Sequence, residues 1–188
     1  MAAIARAFVA VEPPDAVREA ISERVQALDR AGHGSWLRLS STWHVTLQFL
    51  GRVEDVDPLV ATLARALQGA TGPVVQLGGG GAFPRARHGT VLWLGFERGA
   101  DELTALATTV ALATESVGFA GESRRFRPHV TLARTNRARD LRRLVDAIGA
   151  APVGPPWPVE AVSLVSSETR ADGPRYTEIE RFALAPAR

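Results

Sequence analysis

His44-Val45-Thr46-Leu47 recurs 85 residues later as His129-Val130-Thr131-Leu132. The chain has four histidines, His33, His44, His88 and His129, and two of them open the same tetrapeptide. Residue composition alone would produce that coincidence roughly a few times in a million. Both copies sit in stretches with the alternation of a strand. From Trp43 to Leu50, Trp43, Val45, Leu47 and Phe49 fall on one side and His44, Thr46 and Gln48 on the other. Arg127 to Ala133 reads as the second such strand. Histidine and threonine at i and i+2 therefore project from one face, while valine and leucine project from the other. Two halves packed face to face would bring two imidazoles and two hydroxyls into one cleft.

The surroundings of the two copies repeat as well. Ahead of the first, Arg6 to Val11 reads as a buried strand, and Pro13-Pro14-Asp15 opens a helix striped by Val17, Ile21, Val25 and Leu28. Behind it, Asp57-Pro58 reads as an N-cap and first helical residue ahead of Leu59, Val60, Leu63 and Leu67. Pro73 to Leu77 reads as a strand. The Gly78–Gly81 run that follows it reads as a flexible connector, because no Lys-Ser/Thr comes after it as a phosphate loop would require. In the second half Thr90 to Phe96 is a strand. Leu103, Leu106, Val110 and Val117 mark a helix capped near Asp101, and Leu141, Leu144, Val145 and Ile148 mark one ended by Gly149. The proline-rich run from Ala151 to Pro158 reads as a connector, and Val159–Ser166 with Tyr176–Leu184 as a hairpin around Asp172-Gly173. Strand–helix–strand–helix–strand, twice over, fits a doubly wound parallel sheet or an α+β duplication; spacing alone leaves both open.

Composition removes other chemistries. The 188 residues suit one large domain or two small lobes sharing a core. There is no cysteine and no lysine, so all 22 residues counted as Lys+Arg are arginine. That excludes a disulfide framework, a thiolate metal site, and Schiff-base or P-loop lysine chemistry. No apolar run approaches the length of a membrane-spanning helix and the first residues do not read as a signal peptide, so a cytoplasmic protein without membrane contact is expected. The pI of 10.2 accompanies a formal net charge of only +2. It reflects missing lysine and cysteine, the side chains that normally titrate between about pH 8 and 11, rather than a large basic surplus.

Placement of charge says more than its total. Arg124, Arg125, Arg127, Arg134, Arg137, Arg139, Arg142 and Arg143 surround the second motif against one acid, Asp140. Arg127 shares the parity of His129. Arg134 lies just past the strand, where the chain can turn it into the cleft. Arg142 and Arg143 read as the solvated face of a helix.

Two imidazoles on either side of a substrate can divide the work of proton transfer. A neutral ring takes a proton from the attacking oxygen, and a charged one gives a proton to the leaving oxygen. Threonine hydroxyls can hold non-bridging oxygens, and a guanidinium can neutralise developing charge. This equipment would open a cyclic phosphodiester with neither metal nor cofactor. A single His-x-Thr on a strand is most often a satisfied polar pair; the duplication in mirrored context is what favours function. His88-Gly89-Thr90 also spells the pattern, but at a loop-to-strand junction, and His33 between two glycines reads as a solvent loop. Trp43 and Phe49 have the chemistry to stack on a base, yet their parity assigns them to the core. Four scattered histidines without His-Glu-x-x-His spacing do not make a zinc site.

The chain resembles the bacterial RNA 2′,3′-cyclic phosphodiesterases, also called 2′-5′ RNA ligases, of the two-histidine phosphoesterase superfamily. The resemblance rests on Arg6–Pro14, Trp43–Gly51, Gly81–Arg85, Val91–Gly95, Arg125–Arg134 and the closing Leu164-x-x-Ser167 with Gly173-x-x-Tyr176. It implies a bilobal α+β fold over residues 1–188, a single domain of two interleaved pseudo-repeats. Each lobe would carry an antiparallel sheet lining a central cleft, with helices outside. It implies metal-independent hydrolysis of a terminal 2′,3′-cyclic phosphate to a 2′-phosphomonoester, with His44 as proton donor and His129 as proton acceptor. Thr46, Thr131, Arg134 and Arg127 would bind phosphate. The partners expected are RNA ends carrying a 2′,3′-cyclic phosphate, or cyclic nucleotides, and the protein is expected to be a monomer. Ligation of RNA ends on the same site, or non-catalytic binding of such ends, are the competing readings. Thr42-Trp43 departs from the Asn or Glu usual before the first motif, which puts the contacts at the substrate's edge in doubt.

Overall fold

The computed structural model describes residues 3–30, 36–121, 125–170 and 173–187. His33, Arg124 and Asp172 lie outside them. Among the described residues nine strands and four α-helices follow one another as β1 (Ile4–Val11), α1 (Asp15–Arg30), β2 (Leu37–Leu39), β3 (Val45–Val53), α2 (Val56–Leu67), β4 (Val74–Phe83), β5 (Gly89–Arg98), α3 (Ala100–Glu115), β6 (Val130–Arg139), α4 (Arg142–Ile148), β7 (Pro152–Pro158), β8 (Ala161–Arg170) and β9 (Gly173–Ala183). The strands form one sheet in the order β7-β4-β5-β6-β3-β1-β8-β9, with β2 added alongside β6. Every pairing between strands is antiparallel. The fold is therefore α+β, and the parallel alternative falls.

The sheet has a pseudo-twofold centre. β3 and β6, the strands that follow the two histidines, pair through Val45 opposite Val130, and both valines are fully buried. On one side lie β1, β8 and β9, and on the other β5, β4 and β7. The helices cover the face to which these valines point. α1 packs on β7 and α4, whereas α3 packs on β3 and on α2. Each half thus lends a helix to the other, and one buried apolar cluster runs through both, from Val9 and Leu164 to Leu77 and Leu92. The Arg24 guanidinium of α1 donates to the Ile148 carbonyl at the end of α4, where the helix leaves carbonyls unpaired.

The helix stripes lie where periodicity puts them: Val17, Ile21, Val25 and Leu28 are buried, as are Leu59, Leu63 and Leu67. Three readings need correction. The cap of α2 is Asp55, whose carboxylate accepts from the Asp57 backbone N–H, so Pro58 falls in the first turn where its missing N–H costs no helical bond. Gly78–Gly81 is strand, not connector. A Cβ on Gly80 would lie 2.8 Å from Ile148 of α4, and one on Gly81 would lie 2.1 Å from the Trp93 ring. The glycines let a helix pack on one face and an indole on the other. Pro152–Pro158 is also a strand, at the edge of the sheet, where a proline without an N–H is tolerated.

Candidate active site

The pairing of Val45 with Val130 sets the site. Carried one residue either way, that antiparallel register puts His44 opposite Thr131 and Thr46 opposite His129. Directly opposed residues project to the same face, so the four side chains form a quartet on the face away from the helices. All four are half-buried.

Both strands then break their alternation at the same place. Thr46 pairs with Ala10 and Gln48 with Val9, leaving Leu47 as an extra residue in β3. Thr131 pairs with Trp93 and Ala133 with Leu92, leaving Leu132 extra in β6. A β-bulge at the fourth residue of each motif shifts the phase of everything after it. Leu47 and Gln48 both point into the core, as do Leu132 and Ala133. Gln48 therefore does not face the cleft with His44 and Thr46. Its Oε1 accepts from the buried Thr114 hydroxyl of α3 at 2.7 Å, and its amide donates to the Phe119 carbonyl. Phe49, assigned to the core by parity, is 54% exposed and lies across from Phe8 on the cleft face. Trp43 does pack against the core. Arg134 occupies the position in β6 that Phe49 holds in β3. It sits within the strand rather than beyond it, and it pairs with Val91 on the same face as Trp93 and Thr131.

Aromatic walls back each imidazole. The Phe8 ring stacks on His44 at 4.8 Å, and the edge of Tyr176 meets both, at 5.2 Å from His44 and 5.3 Å from Phe8. Phe8, Ala10 and Val165 form a small buried cluster separate from the main core. On the other side His129 contacts Phe83 at 4.9 Å and Trp93 at 6.2 Å. The Arg127 guanidinium lies 4.4 Å from the centre of the Trp93 ring, a cation–π contact.

The two imidazoles differ electrically. His129 Nδ1 is 2.7 Å from the Arg127 carbonyl oxygen. A carbonyl only accepts, so Nδ1 carries a proton, and in the neutral ring Nε2 is left with the lone pair. His44 titrates at about 4, held below 6.5 first by burial and then by Arg134, by His129 whenever that ring is protonated, and by Arg18. Its free ring is therefore neutral at pH 7 in a strongly cationic surround. Arg18 was not singled out in the sequence. It reaches the site from the first turn of α1, fixed by the Pro13 carbonyl at 2.8 Å and the Glu12 carboxylate at 2.9 Å. The arrangement can accept a proton at one ring, deliver one from the other, and hold an anion between them.

The arginine cluster around the second motif divides. Arg134 faces the cleft and Arg127 braces Trp93. Arg139 lies over the Trp36 ring, and Arg142 is tied to Asp140 at 2.6 Å. Arg125, Arg137 and Arg143 are exposed. His88 is exposed in the 3-10 turn Ala86–His88 and makes no part of the quartet. Among the described residues no three His, Cys, Asp or Glu side chains gather as a metal site would require, and no helix is long and apolar enough to cross a membrane.

Residues 7–171 match the 2′-5′ RNA ligase superfamily. The chain is 36% identical to an RNA 2′,3′-cyclic phosphodiesterase of Thermus thermophilus, covering 95% of this chain and 90% of that one. It is 30% identical to the protein of the same name from Aquifex aeolicus, over 96% and 98%. The crystal structure of Escherichia coli LigT complexed with 3′-AMP superposes with a TM-score of 0.72 at 27% identity, covering 96% of this chain and 98% of that one.

Proposed function

The chain belongs to the 2′-5′ RNA ligase superfamily, and on that premise we propose that it hydrolyses the 2′,3′-cyclic phosphate at RNA 3′ ends to a 2′-phosphomonoester. His129 is the general base and His44 the general acid. The observation that carries this reading is the quartet centred on Val45 and Val130, two imidazoles crossed with two hydroxyls on one face. Water attacks phosphorus while His129 Nε2 takes its proton. The bond from phosphorus to O3′ breaks, His44 gives that oxygen a proton, and the 2′ ester survives. Thr46, Thr131 and Arg134 hold the non-bridging oxygens, where negative charge grows. Arg127 acts one step back, through its carbonyl on His129 and its guanidinium on Trp93.

His44 is neutral in the free site, so its proton arrives with the substrate. An anionic phosphate offsets Arg134 and Arg18 and restores the ring's affinity for a proton. Phe49, beside Phe8, offers a flat exposed surface for the terminal base. The reading takes residues 1–188 as a single bilobal domain, working as a cytoplasmic monomer with no metal or cofactor. Its partners are RNA ends or cyclic nucleotides. The test is turnover of a 2′,3′-cyclic phosphate with the position of the product phosphate determined. His44→Ala and His129→Ala should each abolish hydrolysis while the protein stays folded, and EDTA should have no effect. Retained turnover in either variant would sink the acid–base pairing.

A further inference from the structure

Arg38 is the one cation on β2, the short strand added beside β6. It pairs directly opposite Arg134, while its neighbour Leu37 pairs with the buried Thr135 and points into the core. Arg38 therefore shares the cleft face with Arg134. Both side chains are exposed, and neither has an acidic partner among the described residues. Like charges directly opposite each other on adjacent strands repel and lower stability. The nearby Arg139 and Arg142 are engaged by Trp36 and Asp140, but this pair is held open at the edge of the quartet. Two guanidiniums side by side, leading outward from the histidines, match two successive phosphates of one nucleic acid strand.

We propose that Arg38 is a second phosphate subsite, which binds the phosphodiester immediately upstream of the terminal cyclic phosphate of single-stranded RNA. This rests on the cyclic phosphodiesterase reading and deepens it. The site then measures more than a terminal nucleotide and selects the end of a chain over a free cyclic mononucleotide.

The experiment compares kcat/KM on three probes: a 2′,3′-cyclic mononucleotide, the dinucleotide ending in the same cyclic phosphate, and that dinucleotide with a methylphosphonate linkage, which removes the upstream charge alone. Wild type should favour the charged dinucleotide over the mononucleotide by about tenfold, the order expected of a charge-assisted hydrogen bond. The methylphosphonate should lose most of that preference. Arg38→Ala should bring the ratio of dinucleotide to mononucleotide close to one, and Arg38→Lys should restore part of it. For the charged dinucleotide, the slope of log kcat/KM against log salt should become shallower in Arg38→Ala by about 0.7, one phosphate's share for a single strand. Arg65→Ala, on the exposed side of α2, controls for removing a surface charge and should change neither ratio nor slope. No preference in wild type, or an undiminished preference in Arg38→Ala or with the methylphosphonate, overturns the subsite. Failure of wild type to hydrolyse any probe would instead overturn the parent reading.

Discussion

Acid should weaken this protein through His44 in particular. The ring titrates at about 4 in the folded chain against 6.5 unfolded. A histidine whose pKa is lowered by folding favours the native state only while it is neutral. Below pH 6.5 the unfolded chain takes up a proton that the folded one refuses, so stability falls from there down to about pH 4 and then levels. Linkage turns this difference into a loss of about 3 kcal/mol between pH 7 and pH 4. Urea unfolding of wild type and His44→Gln at the two pH values isolates the contribution. The variant should lose about 3 kcal/mol less than wild type, since its side chain does not titrate. The His44 ring signal in NMR should move with a midpoint near 4, shift upward in Arg134→Ala, and shift upward again when inorganic phosphate binds. The acid limb of the kcat profile should accordingly lie at higher pH than that of kcat/KM, because the first reports the bound state and the second the free one. A midpoint near 6.5 in the free protein, or a variant as acid-sensitive as wild type, would refute the electrostatic account of the site.

Other expectations follow from single contacts. Gly81→Ala puts a methyl group 2.1 Å from the Trp93 ring; it should displace the indole from His129 and cut kcat more than KM, and a crystal structure with Trp93 unmoved would contradict this. Thr131→Val keeps the shape of the side chain but removes a donor to the phosphate, so kcat should fall by roughly a hundredfold at unchanged thermal stability. Phe49→Ala should raise KM for cyclic nucleotides by roughly tenfold through lost base stacking, with little change in kcat. Thr114→Val leaves the buried Gln48 carbonyl without its hydroxyl partner and should cost about 1–3 kcal/mol in urea unfolding.

Helices and most strands were legible because the core writes their periods into the chain: Val17, Ile21, Val25 and Leu28 are buried for the reason that spaced them. The duplicated tetrapeptide located both imidazoles and both hydroxyls. What lay beyond the reach of periodicity was any feature set by a neighbouring strand. The bulges depend on how β3 meets β1 and how β6 meets β5, and Leu47 and Leu132 carry no local mark of them. A strict period of two therefore placed Gln48 in the cleft and Phe49 in the core, the reverse of what the pairing gives. Gly78–Gly81 and Pro152–Pro158 failed for a related reason. Their low strand preference is outweighed by what packs on them, an indole and a helix in the first case and an open sheet edge in the second. Arg18 and Arg38 could not be tied to the site in advance, because tertiary contacts bring them there: the hold of the Pro13 carbonyl on Arg18, and the pairing of β2 with β6 that sets Arg38 opposite Arg134.

The bulges also bear on how a duplicated site handles a lopsided molecule. A cleft with true twofold symmetry would accept a nucleotide equally well in either direction, and half of the bound molecules would present the wrong oxygen to each histidine. Up to the threonines the two strands are indeed interchangeable. The residue that each bulge turns back into the cleft is where they part, a phenyl ring on β3 and a guanidinium on β6. That difference gives the cleft a head and a tail, so base and backbone have distinct ends to seek. Matched motifs can then hold unequal duties, with one bound orientation meeting the two rings in the roles their surroundings already favour.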